Sequence, residues 1–159
     1  MQRAHVITVS DGVSAGTRTD SSGPALLDIL ERAQFHVSGP EVVPDDQTRI
    51  SDAIVAAVIA GADLVVTTGG TGLGPRDVTP QATSMLFDYD VPGLAELMRR
   101  AGAASTPMAA LSRGVAGVRG RSLIINVPGS AKGARESLEA VMPVLSHAMQ
   151  LLHGHTKHE

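Results

Sequence analysis

The chain has 159 residues, 43% of them apolar, and a formal net charge of −3, which fits one globular domain with one good core. It has no cysteine, so disulfides, thiolate catalysis and Cys-based zinc sites are excluded, and its negative charge argues against general nucleic-acid binding. The start of the chain lacks a basic region followed by a long apolar core, and the longest apolar stretch, residues 53–62, is too short to span a bilayer, so we expect a cytoplasmic protein with no membrane association.

Residues 5–9 (HVITV) read as a first strand. A polar loop follows over 10–23, with Ser10, Asp11, Asp20 and Ser22 as candidate ligand contacts, and Pro24 opens a helix carrying Leu26, Leu27, Ile29 and Leu30. Residues 37–43 form a second strand, and Gly39-Pro40 within it marks a sheet edge. Pro44, Asp45 and Asp46 end that strand. Asp46 is placed to cap the next helix, whose Ile50, Ala53, Ile54, Ala57 and Val58 share one face. The adjacent Asp45 is left for another role or for plain exposure.

Residues 62–66 are a buried strand ended by Thr67 and Thr68. Gly69, Gly70, Gly72 and Gly74 follow within six residues, and their missing Cβ atoms let backbone wrap closely around a ligand. Thr79-Pro80 reads as an N-cap and first helical residue. Amide groups and a helix N-terminus attract phosphate, and Thr71, Arg76 and Asp77 add a hydroxyl, a cation and a carboxylate. The loop matches neither the Walker nor the dinucleotide pattern.

A short helix is expected over 80–87 and another from Pro92 to near Ala103. Thr106-Pro107 breaks it, and a turn leads to Leu111, Ser112 and Arg113. Residues 115–118 and 122–127 read as an antiparallel hairpin through Arg119-Gly120-Arg121. Pro128, Gly129 and Ser130 then lead to a last helix, which Ser130 caps and Pro143 should kink or divide. Residues 154–159 are expected to be a flexible histidine-containing tail following a single domain over 1–153.

This order implies a three-layer α/β/α sandwich on a mainly parallel, mixed sheet. In such sheets ligands bind beyond the carboxyl ends of the strands. The loops 10–23, 44–46, 69–79 and 128–130 therefore converge. Two carboxylates, Asp45 and Asp77, beside a phosphate loop repel their ligand unless a divalent cation lies between them, so this pair suggests a Mg²⁺–nucleotide site. General acid–base work by one carboxylate is the alternative.

The stretch TTGGTGLGPRDVTPQAT at 67–83 closely resembles the signature of the molybdopterin adenylyltransferase family, of the Mog and MoaB type and the gephyrin G domain. The resemblance extends to TVSD at 8–11, Pro44-Asp45, LSR at 111–113 and LIINVPG at 123–129. It implies a trimeric α/β/α protein that binds molybdopterin and Mg-ATP, transfers AMP to the pterin's phosphate, releases pyrophosphate and hands the product to a molybdenum-insertion protein. It maps the catalytic, Mg²⁺-holding pair onto Asp45 and Asp77. Ser10, Asp11, Gly69, Gly70, Thr71, Gly72, Arg76, Ser112, Asn126, Pro128, Gly129 and Ser130 become the substrate and nucleotide contacts. Two departures matter: Asp46 stands where many relatives have Glu, and Ser130-Ala131 where many have Asn-Pro. The second is MoaB-like, so a non-catalytic pterin binder is the alternative. The intact R-D-V-T at 76–79 favours an active enzyme. Molybdenum-insertion proteins carry this fold in a much longer chain, so that activity is not expected.

Overall fold

Alternation along the strands sorts the apolar residues into two layers, one on each face of a sheet. The computed structural model describes residues 1–155. Strands β1 (Arg3–Val9), β2 (His36–Val43), β3 (Leu64–Thr68), β4 (Tyr89–Asp90), β5 (Ala116–Arg119) and β6 (Ser122–Val127) form one sheet in the order β2-β1-β3-β6-β5-β4. β2, β1, β3 and β6 are parallel, and β5 and β4 are antiparallel additions at one side. Leu64, Val66, Leu123 and Ile125 face a core closed by α2 (Ser22–Arg32), α5 (Pro92–Ala103) and α6 (Ala131–Leu152). Ile7, Val65 and Ile124 face α3 (Gln47–Ile59) and α4 (Thr79–Ser84) on the other side. The expected three-layer sandwich is thus present, with β2 at an edge.

The face of α3 follows from its spacing. Ile50 and Ile54 are fully buried, each worth about 1.5–3 kcal/mol, and Asp46 caps the helix by accepting from the Arg49 amide at 2.9 Å. Among the described residues no helix is long and apolar enough to cross a membrane.

Several boundaries differ from the sequence reading. The helix expected from Pro24 begins at Ser22, and a short helix α1 (Asp11–Ser14), capped by Ser10, occupies the start of the polar loop. Thr67 and Thr68 belong to β3: Thr67 accepts from Asn126 Nδ2 at 2.7 Å and Thr68 donates to the Pro128 carbonyl at 2.8 Å, so both stay buried without unmet polar groups. Thr79 is the first helical residue rather than the N-cap, which is Val78. The helix expected to reach residue 87 stops at Ser84, and the chain then turns into the two-residue strand β4, which pairs with β5. Pro143 does not end α6. It lies on the exposed face, as does Glu139, whose carbonyl loses its helical donor and can meet water, while Leu138, Val141, Leu145 and Met149 hold the helix down. Within the expected tail, residues 156–159 lie outside the described residues. The adjoining His153 docks through Nε2 on Asp63 at 2.8 Å.

Candidate functional site

The four parallel strands point their carboxyl ends the same way, so the loops after β1, β2, β3 and β6 meet at one edge of the sheet. The meeting is close. Gly69, at φ 99°, lies where a Cβ would overlap the Val9 carbonyl, and its amide donates to the Val127 carbonyl at 3.1 Å. Gly70, at φ 69°, lies where a Cβ would overlap the Thr79 hydroxyl and come within 3.1 Å of Asp45 Oδ1. Only glycine meets both demands cheaply. Among the described residues the buried Thr79 hydroxyl has no hydrogen-bond partner.

Asp45 is half-buried at the end of β2, and its loop is clasped to that of β1. The Asp11 amide donates to Asp45 Oδ2 at 2.9 Å, and the Asp45 amide donates to Asp11 Oδ1 at 3.0 Å. Arg76 closes the group from the glycine loop, donating to Asp11 Oδ2 at 2.7 Å, to Asp11 Oδ1 at 3.1 Å and to the Asp45 carbonyl at 3.1 Å. The two carboxyls respond oppositely. Arg76, with help from the Asp45 amide, holds Asp11 below its ordinary value. Burial pushes Asp45 up, opposed by the Asp11 amide and reinforced by the charges of Asp11 and Asp77.

Asp77 is held by its own loop, with Oδ2 accepting from the Gly74 amide at 2.9 Å. Arg113 braces that loop from the segment before β5. It donates to the Gly72 carbonyl at 2.8 Å and the Asp77 carbonyl at 2.7 Å, and reaches Gln81 at 3.3 Å. Its amide donates to the Thr71 carbonyl at 2.8 Å.

Two cavities flank the glycine loop. One, of about 500 Å³, is polar and is lined by Ser10, Asp45, Gly69, Gly70, Asp77 and Gly129, with Asp20 and Ser22 also on its wall. The other, of about 290 Å³, is more apolar, with Met98, Met108 and Leu111 beside Thr71, Gly72 and Ser112. Ser130 borders both, and its hydroxyl caps α6 by accepting from the Gly133 amide at 3.0 Å.

The structure thus gathers Ser10, Asp45, Gly69, Gly70, Asp77, Gly129 and Ser130 around the polar cavity, and Thr71, Gly72, Ser112, Asn126, Pro128 and Ser130 around the apolar one. Asp11 and Arg76 line neither and are engaged with each other at the rim. Asn126 is buried, and its polar atoms bond Thr67, Thr83 and the Val115 amide, so its first task is to tie β6 to α4 and the start of β5. Sequence reasoning assigned no role to Arg113 or to Arg99, which donates to the Gly114 carbonyl at 2.8 Å beside the apolar cavity. No local pattern marks them, because their carbonyl partners lie elsewhere along the chain.

Among the described residues no group of three or more His, Asp or Glu side chains could hold a metal ion by itself. Asp45 and Asp77 face one cavity, and the Asp77 charge helps to push the Asp45 carboxyl up. A hard cation between them would need further oxygens from a bound phosphate and from water, which is how Mg²⁺ binds with nucleotides. The residues fit that ion.

A family model described as a probable molybdopterin binding domain matches residues 5–147. The chain is 41% identical over 162 residues to the molybdopterin adenylyltransferase of Helicobacter pylori (strain J99), covering 97% of this chain and 90% of that one. It is 36% identical over 152 residues to the molybdenum cofactor biosynthesis bifunctional protein of Chlorobaculum tepidum, covering 96% of this chain and 49% of that protein, so it spans about half that relative's length. The solved structure of the molybdopterin biosynthesis enzyme MoaB from Thermus thermophilus matches with a TM-score of 0.91 at 55% identity, covering 97% of this chain and 98% of that one. Together with the converging loops, these matches show that the chain belongs to the family of probable molybdopterin binding domains.

Proposed function

We propose that this chain is a molybdopterin adenylyltransferase of molybdenum cofactor biosynthesis, using Mg-ATP. The observation that carries the reading is the pairing of Asp45 and Asp77 in one cavity beside the close-packed Gly69-Gly70 backbone, with a second cavity across the same loop. Relatives bearing that activity as their name support it. In this reading an oxygen of the pterin's phosphate attacks the α-phosphorus of ATP. The bond from that phosphorus to the bridging oxygen breaks, and pyrophosphate leaves. Such transfer needs positioning and charge neutralisation rather than covalent help from the protein. Asp45 and Asp77 would hold Mg²⁺, which neutralises phosphate charge when bound. The Gly69–Gly72 backbone approaches the phosphates. Ser10, Ser112, Pro128, Gly129 and Ser130 shape the two ligand sites.

The test is product formation. Purified protein given molybdopterin, ATP and Mg²⁺ should yield adenylylated pterin by mass spectrometry, and none without Mg²⁺. Pterin binding with no such product would leave the second reading, a non-catalytic MoaB-type binder, which the Ser130-Ala131 sequence favours. We further propose a homotrimer in the cytoplasm that passes its product to a molybdenum-insertion protein. A monomer by light scattering at micromolar concentration would contradict the trimer.

A further inference from the structure

Asp45 stands at the end of an edge strand, which has a neighbour on one side only. Something beyond its own loop must hold its carboxylate in place. The neighbouring loop does so reciprocally, with each aspartate's amide donating to the other's carboxylate at 2.9 and 3.0 Å. Both oxygens of Asp11 are thereby engaged, and Asp11 lines neither cavity. Oδ1 takes the Asp45 amide and one Arg76 nitrogen, and Oδ2 takes the other Arg76 nitrogen. Arg76 in turn donates a further hydrogen bond to the Asp45 carbonyl.

We propose that Asp11 and Arg76 are positioning residues for the transfer, a clasp that fixes the Asp45 carboxylate opposite Asp77, rather than contacts for pterin or nucleotide. The inference rests on the adenylyl-transfer reading. Three loops contribute one member each: Asp11 from β1, Asp45 from β2 and Arg76 from β3. Each loop alone could shift, and the clasp removes that freedom before the ligand arrives. A displacement of about 1 Å in such a group is enough to cost roughly 10²-fold in rate. Arg76 suits the task because its planar fork meets a carboxylate with two parallel hydrogen bonds, which a lysine cannot copy.

The experiment compares Asp11→Ala, Asp11→Asn and Arg76→Ala with wild type in steady-state kinetics, and reads the Asp45 amide by hydrogen exchange in the ligand-free proteins. The clasp predicts that Asp11→Ala lowers kcat by about 10–100-fold with KM for ATP and pterin within about twofold. Asp11→Asn, which keeps an acceptor for the Asp45 amide, should recover most of the loss. Arg76→Ala should fall between them. The Asp45 amide should exchange at least about tenfold faster in Asp11→Ala and near the wild-type rate in Asp11→Asn. A raised KM with kcat unchanged would make the pair ligand contacts and overturn the proposal. So would an Asn variant as slow as Ala, or unchanged exchange at Asp45. If Asp11→Ala does not fold, Asp11→Asn and Arg76→Ala still decide it. If wild type shows no transfer, the adenylyl-transfer reading fails, while amide exchange still reports whether the clasp exists.

Discussion

The loops after β2 and β3 each deliver one carboxylate to the same cavity, but they are held by different means. The Asp77 carboxylate is fixed locally, by the Gly74 amide three residues away, and only the surrounding backbone carbonyls rely on a distant brace, Arg113. Asp45 is fixed by distant partners, Asp11 at 34 positions away in sequence and Arg76 at 31. A glycine-rich loop supplies its own amides, whereas a short turn at a sheet edge has too few and relies on other loops. Asp45 titrates high because it is partly buried and faces other acids.

The sharpest way to separate the two loops is Arg113→Ala. It leaves the Gly72 and Asp77 carbonyls without their charged donor, and we expect a loss of about 2–3 kcal/mol, a fall of roughly 4–10 °C in Tm by thermal unfolding. Arg113→Lys should recover little of it, because the fork is lost. An unchanged Tm would mean that the glycine loop holds itself. Next in size is Gly70→Ala, which meets the Thr79 hydroxyl and requires a left-handed backbone, costing about 1–2 kcal/mol in denaturant titration. A neutral result would show that the loop has room to relax.

Asp45→Asn tests the edge loop, with a smaller effect of opposite sign. Asp45 titrates higher in the fold than in the unfolded chain, so its favourable contribution is present below the ordinary value of 3.8 and is lost as pH rises through the folded value. In metal-free buffer at neutral pH the variant should therefore be slightly more stable, by at most about 1 kcal/mol given the partial exposure, and the gap should close near pH 3. A less stable variant at pH 7 would mean that the bonds to the Asp45 anion outweigh its burial. Smallest of all is Thr79→Val. Replacing a buried hydroxyl that has no partner among the described residues by a methyl group should leave stability unchanged or raise it by under about 1 kcal/mol. A loss above that would give the hydroxyl a partner.

Much of this arrangement is legible in the residues. The β-branched runs of β1, β3 and β6, the face of α3 with its Asp46 cap, and the hairpin of β5 and β6 all follow from local pattern. The convergence of the four loops follows from parallel topology. What local pattern misses is set by partners far along the chain. β4 is two residues long and exists because β5 offers it an edge. Thr67 and Thr68 read as the point where the strand ends until Asn126 and Pro128 satisfy them within the sheet. Pro143 reads as a break until the packing of α6 outweighs one lost hydrogen bond. Arg113 and the clasp at Asp11 fall in the same class, since an arginine's carbonyl partners leave no periodic trace.

The most direct test of the central claim is pyrophosphate release from wild type, Asp45→Ala and Asp77→Ala given molybdopterin, ATP and Mg²⁺. Wild type should release pyrophosphate only with pterin present, and both variants should fall by at least about 10²–10³-fold, with folding and pterin binding retained. Undiminished release by either variant would remove that carboxylate from the mechanism and contradict the paired-carboxylate site.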